Sequence, residues 1–407
     1  MSKNIDAGDV LIVGCGPVGI MTAYALKQAG ASVTVIEAGN TWNDSPRAMC
    51  YMGSTVTVLE KLGLLQDVTA VSLKVEGFRE FWPDLNLSVT QDLAPIGDRT
   101  YTYDLNCGQD KVVEIALRHA RAAGVNVEFS SKLVSFTQDK FGVSTVIESP
   151  EGPKIFRTKY LVGADGARSS VRELMNVKFE GHTWESYFVS NNVYCDMSSL
   201  GFHPATYVCN PEYGGVVCAI DKDGLWRLTY REDGSHSPET FKERQRAKLS
   251  NLIPEGVAYE IASNSPYRVH QRCATSLREG RVLLTGDAGH ITNPMGGFGL
   301  TTGIWSGMVL ADSLGAVLNG EESEDVLDRY SDERRRVFWE YTSPAATETK
   351  RMIEEPDLKT RLADYQKSST RHERPQELIE LLSYPFNVIG NPIREGSRWA
   401  GVNPFRK

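Results

Sequence analysis

The sequence predicts an α/β architecture, α+β when taken whole, in which a parallel layer carries an inserted mixed sheet and a helical C-terminal part. Three observations predict it. Residues 9–14 (DVLIVG) form an apolar run, residues 17–29 follow a helical pattern stopped by Gly30, and SVTVIEA at 32–38 is a second apolar run, together a βαβ unit. Far down the chain, RVLLTGDAGH at 281–290 returns to the same style. Between them, from about residue 179 to 268, the runs NNVYCDM, ATYVCNP, GVVCAI and LWRLTYR alternate with turns, and DKDG at 221–224 marks a hairpin.

The other elements follow in order. Residues 54–62 read as a helix, 77–89 as strands, and 111–123 as a helix ended by Gly124. VNVEFSSKLVSF, VSTVIES and KIFRTKYLVGAD read as three short strands. Residues 238–252 and 301–318 are helical, and the charged remainder from Ser323 is mostly helical. The chain thus divides into a discontinuous Rossmann-like unit (1–78, 98–178 and 268–345), an inserted sheet unit expected to bind substrate (79–97 and 179–267) and a C-terminal helical region (346–407).

Composition excludes several classes. With 41% hydrophobic and 24% charged residues, the 407-residue chain reads as globular, not disordered. The net charge is −8 and no basic tract stands out, so nucleic acid and anionic membrane are not expected partners. No apolar stretch approaches the roughly 18 residues of a membrane span, and the polar opening MSKNIDAGD is not a secretory signal. Seven scattered cysteines without a CxxC read as reduced thiols, which points to the cytoplasm. The histidines show no HxxxH or HExxH, so no metal site is expected.

Four motifs carry chemistry. Gly14-Cys15-Gly16-Pro17-Val18-Gly19 is a GxGxxG between strand and helix. Its glycines allow a tight turn, a close approach to a pyrophosphate and helix packing, and the helix N-terminus favours the phosphate charge. Glu37 closes the second strand, where a carboxylate can accept bonds from a ribose and disfavours a 2′-phosphate. The motif alone does not separate NAD from FAD. Arg47, in Ser45-Pro46-Arg47-Ala48, lies near the same edge, where it could meet phosphate or a flavin; taken alone it is a surface arginine. Gly163-Ala164-Asp165-Gly166-Ala167-Arg168 follows an apolar strand and is either a structural turn or a second loop on the dinucleotide. In GRVLLTGDAGHITNPMGGFGL at 280–300, Asp287 follows Gly286 and could bind ribityl hydroxyls. The amides near Gly297, Gly299 and Leu300 could face an isoalloxazine edge at a helix N-terminus. Another phosphate loop, or a structural turn, is the alternative there.

This ordered set resembles the group A FAD-dependent monooxygenases, the single-component aromatic hydroxylases of the para-hydroxybenzoate hydroxylase type. SPEGPKIFR and YRVHQRC are further similar to single-component 4-nitrophenol and phenol hydroxylases. The resemblance implies a Rossmann-like FAD domain. Gly14, Gly16, Gly19 and Glu37 would take the adenosine diphosphate, and Arg47, Gln109, Asp165, Gly286, Asp287, Gly297, Gly299 and Leu300 other parts of FAD. Pro294 would sit beside flavin C4a. One departure is Gly289, where the family has alanine.

The implied reaction is reduction of FAD by NAD(P)H, formation of a C4a-hydroperoxide with O2, and transfer of OH to an electron-rich ring. With only one GxGxxG, which FAD would occupy, NAD(P)H is expected to bind transiently. Alternation on strand 225–231 places Trp226, Leu228 and Tyr230 on one face and Arg227 and Thr229 on the other. By the resemblance, Arg227 approaches the flavin and Tyr207 ionises the substrate, with packing roles as the alternative; His270 is a pocket contact or a structural histidine. The strand at 216–221 has no arginine, and Asp221 would repel an anion, so a phenol without a benzoate carboxylate is expected. A homodimer is a family expectation. Alternatives are a flavin halogenase, whose WxWxIP is absent, an isoprenoid alkene reductase, or a binding protein of the GDP-dissociation-inhibitor type.

Overall fold

A computed structural model describes residues 4–42 and 48–405, apart from the Asp98 side chain. Its centre is a six-stranded sheet in the order Arg278–Glu279, Val282–Leu284, Tyr160–Gly163, Val10–Val13, Val33–Ile36 and Asn126–Glu128. All neighbours run parallel except the first pair. The four inner strands, buried on both faces, are near-continuous apolar runs, as a parallel sheet requires. The chain leaves Val10–Val13 toward Val33–Ile36 and later adds Tyr160–Gly163 on the opposite side. A topological switch point therefore lies at the carboxyl end of Val10–Val13, where ligands bind in open α/β sheets.

Helix Pro17–Gln28 packs against the long helix Phe298–Leu318 on one face of this sheet. Contact is close because a Cβ on Gly307 would meet the Thr22 hydroxyl at 2.2 Å. An eight-stranded mixed sheet runs His290–Ile291, Glu260–Ala274, Phe179–Tyr194, Leu225–Glu232, Gly215–Ala219, Ala205–Val208, Gly77–Trp82 and Leu87–Asp92. The expected alternation holds: Trp226, Leu228 and Tyr230 join Phe241 and Leu249 of helix Phe241–Leu249 in one apolar cluster, while Arg227 and Thr229 face a cleft. A small antiparallel sheet of Cys50–Tyr51, Asp104–Asn106 and Leu73–Val75 lies at that cleft.

Two single runs of the sequence divide between sheets. VNVEFSSKLVSF becomes Asn126–Glu128 in the parallel sheet and Lys132–Asp139 in a four-stranded sheet. The break falls at Ser130, whose φ of 51° is left-handed, because Ser130 N and Ser131 N are drawn to the carbonyls of Gly39 and Glu37. KIFRTKYLVGAD splits into Gly152–Thr158 and Tyr160–Gly163, because both Lys159 N and Tyr160 N donate to Asp9 O at 3.0 Å. Strand Asn4–Asp6 and helix Leu65–Val71 are too short to show an apolar periodicity in the sequence. The C-terminal part is helical through Asp325–Val337, Ser343–Glu354, Leu358–Ser369 and Pro375–Asn387. No described helix is long and apolar enough to cross a membrane.

A Cβ on Gly19 would sit 2.1 Å from Gly14 O, whereas one on Gly16 would meet nothing within 4 Å. Gly19→Ala is therefore expected to cost about 1–3 kcal/mol, outweighing its helix propensity. Gly16→Ala should leave stability of the cofactor-free protein unchanged. Thermal unfolding of the two variants checks this.

Candidate active site

The motif loops leave the carboxyl ends of the parallel strands and meet around one cleft of about 1570 Å³. Drug-sized ligands typically occupy roughly 300–1,000 Å³, so the cleft has room for a dinucleotide and a second molecule. Gly14, Gly16, Glu37, Gln109, Asp165, Gly286, Asp287, Pro294, Gly297, Gly299 and Leu300 all line it, as do Tyr207 and Arg227 from the large sheet. Gly19 lies beneath, against Gly14. Arg47 falls outside the described residues.

The loops are built by local bonds. Gly14 has φ 106°, and a Cβ there would meet Ala164 O at 2.4 Å, so two motif loops touch through backbone alone. The Glu37 carboxylate accepts from Cys15 N (3.0 Å) and Gly39 N (2.9 Å), fixing it beside the glycine turn. Asp165 accepts from Ser169 Oγ and Val171 N (3.2 Å), so it shapes its own loop while forming cleft wall. Burial raises its carboxyl, against those bonds. The Arg172 guanidinium ties this loop to the next, donating to Ala167 O (2.8 Å) and Ala288 O (2.9 Å). Asp287 projects from a short turn, Gly286–Ala288, exposed to the cleft. Gly297, at φ 70°, starts helix Phe298–Leu318, and the first residues of that helix line the cleft with their amides free of helical partners.

The Pro294 loop hangs on Gln271, a residue within YRVHQRC with no role expected from the sequence. The Gln271 carboxamide oxygen, fully buried, accepts from Thr292 Oγ1 (2.9 Å), Asn293 N (3.1 Å) and Asn293 Nδ2 (3.2 Å). Asn293 in turn caps the turn Pro294–Gly296 by accepting from Met295 N. Its only sequence signal is a polar residue at a buried position of strand Glu260–Ala274.

On the opposite wall, Arg227 Nε donates to Asn192 Oδ1 at 3.1 Å. Tyr207 packs edge-on against Phe78 at 5.8 Å, and burial raises its phenol, keeping it a neutral donor. His270 lines the cleft and is also satisfied, with Nδ1 2.8 Å from Thr183 Oγ1. Asp221 corrects an expectation. Its carboxylate accepts from Asp223 N (2.9 Å) and Leu225 N (3.1 Å) within the hairpin turn, and it is not among the cleft residues. The strand shows Val216 and Cys218 to the cleft.

The family model for an FAD binding domain matches residues 7–345. The chain belongs to this family. It is 38% identical over 360 residues to the para-nitrophenol 4-monooxygenase of Pseudomonas sp. (strain WBC-3), covering 87% of this chain and 89% of that one. It is 39% identical over 347 residues to the 6-hydroxy-3-succinoylpyridine 3-monooxygenase HspB of Pseudomonas putida (strain DSM 28022 / S16), covering 84% and 88%. The crystal structure of p-nitrophenol 4-monooxygenase PnpA from Pseudomonas putida DLL-E4 superposes with a TM-score of 0.92 at 35% identity, over 96% of this chain and all of that one. FAD is the cofactor of the family, and the residues fit it: a glycine turn opening onto a cleft, an acid at the second strand end and a second acid exposed below.

Burial, then the Arg334 charge, pushes the His290 imidazole down to about 3 from 6.5. The ring stays neutral on Ser306 Oγ at 2.8 Å. The unfolded chain takes this proton below 6.5 and the folded one does not, so stability is lost as pH falls from 6.5 toward 3. His290→Gln should flatten that slope by on the order of 1 kcal/mol per pH unit, read from urea midpoints against pH. Gln271→Leu leaves three donors unpartnered. It should cost roughly 1–3 kcal/mol and raise the peroxide released per NAD(P)H consumed, measured by unfolding and by a peroxide assay.

Proposed function

We propose that this FAD-dependent aromatic monooxygenase hydroxylates a phenol or hydroxypyridine with NAD(P)H and O2, in the cytoplasm. The carrying observation is continuity: one cleft runs from the glycine turn and Glu37, past Asp287, to a pocket walled by Pro294, Tyr207 and Arg227. When bound, FAD supplies the redox chemistry, passing electrons from NAD(P)H to O2 and one oxygen atom to the ring. The chain's own residues do the rest. The amides after Gly14, with Glu37, hold the adenosine diphosphate. Gln109 and Asp165 line the cofactor's side, and Asp287 accepts from the ribityl chain. The amides at Gly297–Leu300 offer positive charge to the ring edge, and Pro294 sets the gap between that ring and the substrate. Tyr207 donates to the substrate oxygen, and Arg227 draws negative charge toward the pocket. The segments 79–97 and 179–267 supply the substrate wall.

The relatives bear names of monooxygenases acting on a nitrophenol and on a hydroxypyridine, and a halogenase, alkene reductase or binding protein finds no support among them. A substrate without a benzoate carboxylate is supported by Val216 and Cys218, the apolar and weakly polar groups that line the cleft where an arginine would anchor the acid. All seven cysteines are free, which suits a reducing compartment. A homodimer remains a reading from the family.

Removal of Asp287 tests the cofactor site. Asp287→Ala should lower FAD retained on purification by tenfold or more in affinity, through loss of a charge-assisted bond worth about 1.5–3 kcal/mol. The flavin absorbance of the purified variant, and its titration with FAD, measure this. Phenol-stimulated oxidation of NADH or NADPH in air, with one oxygen added to the product, tests the reaction itself.

A further inference from the structure

The strand Asp104–Asn106, central in the small three-stranded sheet, carries no assigned role. Asp104 and Asn106 are two residues apart, so both side chains point to the same face, and both line the cleft. Asp104 Oδ1 accepts from Gly53 N at 2.9 Å, and its Oδ2 lies 3.7 Å from Cys50 Sγ. Among the described residues no cation forms an ion pair with it. The neighbouring large sheet presents Tyr207, Cys218, Arg227 and Glu80 to the same cleft, and Asp104 acts electrostatically on the Tyr207 phenol. Asn106 is 1% exposed; its Nδ2 donates to Ala219 O at 2.9 Å, while its Oδ1, buried, has no donor among the described residues.

Resting on the proposed phenol chemistry, we propose that Asp104, on the wall of the cleft, is the base that takes the substrate's hydroxyl proton. The O–H bond breaks, the electron pair stays on the phenolate oxygen, and the proton forms an O–H bond on the Asp104 carboxylate, from which water in the cleft removes it. The phenolate, a more electron-rich ring, is then held by the neutral Tyr207 hydroxyl. Burial, opposed by the Gly53 and Cys50 bonds, pushes the Asp104 carboxyl up to about 7, where a general base works best near neutral pH. Glu80, also buried, differs in having Arg371 Nη1 3.9 Å from its Oε1.

The test uses the FAD-loaded enzyme and two readouts. The first is the pH profile of kcat/KM with several phenols of different acidity. In the native enzyme an acid limb near 7 should hold its position across the series; a limb that tracks each phenol's own acidity overturns the proposal. The second is the phenolate absorption band of 4-nitrophenol on binding, followed against pH without NAD(P)H. Asp104→Asn should lose the bound phenolate at mildly acidic pH and slow weakly acidic phenols by about 10²–10⁴-fold, with a far smaller loss for 4-nitrophenol at alkaline pH. Asp104→Glu should restore part of the rate with a displaced limb, and it stands in if the asparagine variant does not fold. An unchanged profile and band in a folded variant that hydroxylates phenols overturns this base alone. A native enzyme that binds and oxidises no phenol overturns the phenol reading with it.

Discussion

The close backbone contact at Gly14 is the constraint on which the rest depends. Strands Val10–Val13 and Tyr160–Gly163 pair in parallel with Val13 opposite Gly163, so both chains turn at the same level. With Ala164 O where a Gly14 side chain would stand, no other residue fits. The same turn sets Gly14 O against Gly19 and so fixes how helix Pro17–Gln28 leaves the sheet. Leu284 lies beside Gly163 on the next strand, which brings the loop of Asp287 to the same level again. One row of strand ends thus collects loops that lie far apart in the chain, and their unpaired amides face a single cleft.

A second set of interactions makes those loops rigid. They contain few side chains able to pack, so polar groups buried behind them hold their shape. Arg172 bridges two loops through carbonyls, and Gln271 gathers three donors behind Pro294. Arg334, fully buried, donates to Ser306 Oγ (3.0 Å) and to the carbonyls of Val388 (2.8 Å) and Ile389 (3.0 Å), clamping the C-terminal segment to the helix that starts at Gly297. Burial keeps His290 neutral, and the Arg334 charge adds to it. Such networks are costly to break, because each lost partner leaves a buried group unsatisfied. They place the positioning of the cleft in residues that do not line it.

The opposite wall works by a different principle. The large sheet offers alternate side chains, so its strands Gly215–Ala219 and Leu225–Glu232 divide their residues between an apolar layer under helix Phe241–Leu249 and the cleft. Polar groups that face the cleft lose water, and their protonation is set by burial more than by paired charges.

By itself the sequence determined the parallel layer, the loops that end its strands, and the alternation on Leu225–Glu232, because each is encoded within a few residues by glycine, an acid or a period of two. Tertiary structure decided what depends on distant partners. It split two apolar runs where Gly39, Glu37 and Asp9 carbonyls capture the amides, and it turned Asp221 into a hairpin acceptor away from the cleft. It also brought Asp104, Asn106 and Gln271 to the site. None of these carries a local signature, since a polar residue on a short strand gains its role only from the wall it comes to face.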